Sequence, residues 1–128
     1  MAEHFTRLLR WSGSHGVRSD ATDLPAVPPD WHGLVSVSRT PEETSVIGPW
    51  IGEGLGPYRA WSVPGPLAPD LVGVLAGFLR PLQDAGISVL AVSTHDTDWL
   101  LVEEGRAEAA EAAWVARGIE IRDGIVAS

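Results

Sequence analysis

"ISVLAVSTHDTDWLLV" (residues 87–102) places an apolar run directly against a cluster of hydroxyls, an imidazole and two carboxylates, then returns to an apolar run. The first segment, "ISVLAV" (87–92), is apolar on both faces, as expected of a central strand in a sheet. The second, "DWLLVEE" (98–104), resumes after a short polar turn, and antiparallel pairing is the economical connection. Upstream, "APDLVGVLAGFLRPLQDAG" (68–86) spaces Leu71, Val74, Leu75, Phe78, Leu79 and Leu82 along one face of a helix. Pro69 suits its first position, Asp70 complements the positive end of the helix dipole, and Gly86 suits the left-handed residue that closes a helix. Pro81 falls in the last turn, where a lost hydrogen bond costs least.

Further out, "YRAWSVPG" (58–65) alternates and stops at Pro64-Gly65, the signature of a strand. "EEGRAEAAEAAWVARG" (103–118) is rich in helix formers, ends at Gly118, and offers Ala107, Ala110, Ala113 and Trp114 as a small-residue face. "IEIRDG" (119–124) reads as a short closing strand. The predicted order is β-α-β-β-α-β, a split βαβ in which two helices cover one sheet. Gly73 and Gly77 on the first helix suggest a close approach to it, by the sheet or another element.

The N-terminal half is less regular. "FTRLLRW" (5–11) and "GLVSVSRT" (33–40) are strand candidates, separated by a segment rich in Gly, Ser, Asp and Pro. "TPEETSVIGP" (40–49) begins like a capped helix at Thr40 and Pro41, but Val46, Ile47 and Gly48-Pro49 cut it to one turn followed by a strand. His4, His15 and His32 stand in loop-like contexts and suggest no role.

Composition narrows the classes of function. A chain of 128 residues, 45% hydrophobic and 20% charged, has the make-up of a folded domain. Its formal charge is −8, with nine arginines scattered singly and no lysine. Clustered positive charge is what phosphate neutralisation requires, so neither nucleic acid nor an anionic membrane surface is an expected partner. No apolar run approaches the ~20 residues that span a bilayer, and the N-terminus lacks the apolar core of a secretory signal, so a cytoplasmic location is expected. The absence of cysteine excludes disulfides and thiolate chemistry.

Four chemistries fit "STHDTD" (93–98). Ser, Thr and Asp side chains commonly bond their own backbone in turns. His95, Asp96 and Asp98 are metal-ligand types, although three ligands within four residues of one turn rarely converge. A hydrophobic strand running into "DTD" resembles the nucleophile motif of aspartate-based phosphatases, but only about 30 residues remain to supply the rest of such a site. Finally, Asp98 at a strand start can pair with a cation while hydroxyls and backbone N–H groups hold an anion, enough to bind a free amino acid.

The segment "WSVPGPLAPDLVGVLAGFLRPLQDAGISVLAVSTHDTDWLLVEE" (61–104) resembles the CASTOR-type ACT domain, related to the regulatory ACT domains of aspartokinases. The resemblance rests on "GPL", "PL", "AGIS" and "STxDTDxxLV", with "LVSVSRTPEETSVIGP" (34–49) similar to the "SVTRTPEELSIV" segment of small bacterial members. It implies an α+β, ferredoxin-like βαββαβ ACT fold with two ACT-like modules side by side: an abbreviated module over residues 1–56 and a complete one over 57–128. It also implies a free amino acid, or a similar zwitterion, bound at the seam. By position, Thr94, His95 and Asp98 fall on the binding turn, Ser45 and Val46 on the opposing segment, and Leu67, Ala68 and Leu71 around the helix start. Two departures stand out: Ala68 replaces a usual Asp, and His95 a usual aromatic.

The expectation is a ligand sensor or allosteric regulatory module, homodimeric, able to act on a regulated protein partner, with no cofactor, metal or catalytic residue. Its rivals are a structural adaptor without ligand and a small enzyme using His95 and Asp98 as acid and base.

Overall fold

The computed structural model describes residues 6–19, 26–68 and 72–124, so Leu71, Pro69, Asp70 and His4 lie outside the described residues. Seven strands and two helices follow in the order β1 (Arg7–Ser19), β2 (Ser36–Arg39), β3 (Thr44–Pro49), β4 (Leu55–Ser62), α1 (Val74–Asp84), β5 (Leu90–Ser93), β6 (Asp98–Glu103), α2 (Ala107–Val115) and β7 (Glu120–Asp123). From β4 onward this is the expected βαββαβ series. A 3-10 turn, Glu104–Arg106, leads into α2.

The strands form one sheet in the order β2-β3-β1-β4-β6-β5, with β7 parallel to the start of β1. β1 therefore lies between β4 and β7, the first and last strands of the βαββαβ series. Its first half, Arg7–Arg10, pairs with β7, while its second half, His15–Ser19, pairs with β3. An irregularity between Trp11 and His15, with Gly13 at φ 98°, separates the two halves. The sequence between Trp11 and Ser19 shows no alternation, which is why only its opening read as a strand.

Both helices cover one face of the sheet. Side chains alternate across a strand, so Trp61, Leu100 and Val102 point under the helices, while Ala60 and Leu101 point the other way. The helix-side core gathers Phe78 and Leu82 from α1, Ala110 and Trp114 from α2, and Leu8 from β1. Trp114 meets Trp61 edge-on at 5.0 Å and donates its indole N–H to the Phe78 carbonyl at 2.8 Å, which ties α2 to α1. Among the described residues no helix covers the opposite face. The connector before β2 covers part of it, and Ile47, Tyr58, Leu90, Val92 and Trp99 are half-buried there.

Several local expectations are realised and some are displaced. Gly86 and Gly118 take φ of 71° and 83° just beyond the two helices, as terminators do. Thr40 accepts the amides of Glu42 and Glu43 in a single turn before β3. α1, however, begins at Val74 behind a left-handed Gly73, with no acidic residue in its first turn. β5 is an edge strand and not a central one. Its two-faced apolar pattern arises because Ile87 and Val89 pack under the helices before the strand begins, while Leu90 and Val92 lie on the open face. A Cβ at Gly73 or Gly77 would meet nothing within 4 Å, so no close approach explains either glycine.

His15, which suggested no role, is fully buried in β1. Its Nε2 accepts the Leu34 amide at 3.0 Å, and its ring lies 4.7 Å from that of Trp31. This bond fastens the connector onto the open sheet face. Burial pushes the imidazole down to about 4, the nearby Gly13 carbonyl opposing and the Arg59 charge assisting.

Candidate functional site

The β5–β6 hairpin turns at Thr94–Thr97, and its hydroxyls hold the turn in shape. The Thr94 amide donates to the Thr97 carbonyl at 2.7 Å, and Thr94 Oγ1 accepts the Thr97 amide at 3.2 Å. A second set of bonds laces this turn to the loop leaving β4. Val63 N–H donates to the Asp98 carbonyl at 3.0 Å, Leu67 N–H to the Asp96 carbonyl at 2.7 Å, and the Thr97 hydroxyl to the Val63 carbonyl. Gly65 permits that approach, because a Cβ there would sit 2.8 Å from the Asp96 carbonyl oxygen.

Between these two loops and the first turn of α1 lies a cavity of about 420 Å³, a volume suited to a small ligand. Leu67 and Ala68 form one wall, Gly73 to Ala76 a second, and Ser93 to Asp98 a third. Five of the site residues expected from the sequence therefore converge: Leu67, Ala68, Thr94, His95 and Asp98. On the α1 side the described wall is Gly73–Ala76, and Leu71 lies outside the described residues.

Ser45 and Val46 are not part of this cavity in a single chain. They lie on β3, three strand spacings (~14 Å) from β6, and Val46 is buried between β1 and β2.

Among the described residues the cavity lining includes Asp96 and Asp98 and no arginine. Ser93 Oγ donates to Asp98 Oδ1 at 2.7 Å and orients that carboxylate. Ser93 was not expected to be a site residue, but as the cross-strand partner of Asp98 it could have been found from the hairpin register. His95 projects from the rim, its side chain 99% exposed, and its Nδ1 lies 2.7 Å from Asp96 Oδ1. It engages Asp96, and no hydrogen bond among the described residues joins it to Asp98. Among the described residues no three His, Asp or Glu side chains are grouped to hold a metal.

Residues 57–113 match the ACT domain family. The matched stretch carries both loops of the cavity and both helices up to Ala113. The fold is also similar to those of solved structures. Protein Atu0741 from Agobacterium tumefaciens is 27% identical, with a TM-score of 0.75 over 95% of this chain and 96% of that one. VC0802 from Vibrio cholerae, described as a protein of unknown function and possible transport protein, is 18% identical, with a TM-score of 0.64 over 88% and 91%. The latter likeness is one of fold. No curated protein matches the chain.

Proposed function

We propose that the chain is an ACT-type sensor that binds a free amino acid or similar zwitterion in the cavity between the β4–α1 loop and the β5–β6 turn. The observation that carries this reading is the convergence of Leu67, Ala68, Thr94, His95 and Asp98 on one cavity, with the Asp98 carboxylate held by Ser93. Asp98 receives the ligand's ammonium or guanidinium group. The apolar wall of Leu67, Val74 and Leu75 receives its side chain. The protein acts by regulating a partner and has no catalytic residue of its own.

In this reading residues 1–56 form an abbreviated module that lends its long strand to the complete one at 57–128. The chain works in the cytoplasm as a homodimer.

Thermal melting against single L-amino acids tests the proposal, with Asp98→Asn as the control variant. At 100 times its dissociation constant a ligand stabilises by about 2.7 kcal/mol. At least one amino acid is expected to raise the melting temperature of the native chain and to lose that effect in Asp98→Asn. Absence of any response, or an equal response in the variant, refutes the site. In that case the half-buried apolar face of Tyr58, Leu90, Val92 and Trp99 favours a structural adaptor instead.

A further inference from the structure

A second cavity, about 520 Å³, opens on the helix side of the sheet between β1, β4 and the 3-10 turn that leads into α2. Two arginines, Arg10 and Arg59, three glutamates, Glu104, Glu108 and Glu111, and the edge of Trp61 line it.

Most of these groups are committed. Arg10 grips Glu111 through Nε and Nη2, both at 2.7 Å, and reaches Asp123 through Nη1 at 2.8 Å. Trp61 donates its indole N–H to the same Glu111 carboxylate at 2.8 Å. Burial raises the Glu111 carboxyl, but the hydrogen bonds from Arg10 and Trp61 outweigh it and leave the group below the usual carboxylate range. Glu104 accepts the Ser14 hydroxyl.

Two lining groups of opposite sign remain. Among the described residues neither Arg59 nor Glu108 makes a side-chain hydrogen bond or ion pair, with each other or with any neighbour. Arg59 is half-buried on β4 and Glu108 stands on the first turn of α2. They stand on different elements, β4 and α2, and line one cavity without forming an ion pair. A guanidinium and a carboxylate that share a cavity without meeting complement a molecule with its own separated charges. A simple anion fits less well, because Glu104 and Glu108 would repel it.

We infer that this cavity binds a small zwitterion, its carboxylate on the Arg59 guanidinium and its ammonium on the Glu108 carboxylate. The bidentate Arg10–Glu111 pair, braced by Trp61, forms the floor. This site is separate from the cleft beside α1 and does not depend on ligand binding there.

Titration of the 15N-labelled chain by NMR tests the inference, with the Gly105 amide and the Arg59 Nε–H as reporters. Glycine, β-alanine and 4-aminobutyrate serve as zwitterions of increasing charge separation, and acetate and methylammonium as single-charge controls. At least one zwitterion is expected to give saturable shifts at both reporters. Arg59→Gln and Glu108→Gln should each weaken its binding about tenfold or more, as loss of a charge-assisted hydrogen bond does. Because Glu108 is solvent-exposed, its variant leaves folding intact. Non-saturating shifts, acetate binding as tightly as the zwitterions, or unchanged affinity in both variants would overturn the inference. Shifts confined to Ser93–Asp98 would overturn it too, while supporting the cleft beside α1.

Discussion

Acidification should destabilise this protein in large part through one buried side chain. His15 is buried without charge, accepts the Leu34 amide, and titrates at about 4 in place of its ordinary 6.5. A depressed folded-state value means that the unfolded chain binds the extra proton first. The contribution of neutral His15 is therefore intact above pH 6.5 and is lost progressively as pH falls toward 4. At 1.36 kcal/mol per unit, linkage gives a loss of about 1.4 kcal/mol at pH 5.5 and about 3 kcal/mol at pH 4.

Urea unfolding of the native chain and of His15→Gln at pH 7, 5.5 and 4 isolates this share, because the carboxylates common to both cancel in the difference. The glutamine oxygen can still accept the Leu34 amide but does not titrate. The native chain should lose about 3 kcal/mol more than the variant between pH 7 and pH 4. Parallel pH profiles for the two proteins would refute the reasoning.

Other substitutions test separate features. Gly33→Ala should destabilise by about 1–3 kcal/mol in urea unfolding, since its Cβ would lie 2.4 Å from His15 Nε2 and 2.5 Å from Trp31. Gly77→Ala, on an open stretch of α1, should instead stabilise by about 0.5–1 kcal/mol, read as a higher melting temperature. Arg10→Met leaves the half-buried Glu111 without its guanidinium and should cost about 1–3 kcal/mol near neutral pH, reduced by the partial exposure of the pair. That penalty should shrink as pH falls below the usual carboxylate range, because Glu111, depressed in the native chain, then gains a proton and needs no partner.

Features governed by neighbours in the chain were legible from the residues alone. The apolar face of α1, the closing glycines Gly86 and Gly118, and the β5–β6 hairpin follow from periodicity and from backbone preferences that act within a few positions. The hydroxyl and carboxylate cluster was likewise readable as a turn with a carboxylate at its end, because Ser, Thr and Asp side chains meet their own backbone at fixed offsets.

Features governed by strand partners were not. Nothing local marks Arg7–Ser19 as a single long strand, or inserts it between β4 and β7, since its two halves are specified by residues from Ser45 to Pro49 and from Glu120 to Asp123. The same holds for β5 at the sheet edge, for His15 beneath Trp31, and for the Arg10–Glu111–Trp61 cluster, whose members are 50 and 101 positions apart. A chain's own spacing decides which face of an element is apolar. Only the closure of long loops decides what that face meets, because the free energy that selects a partner comes from burial shared between distant segments.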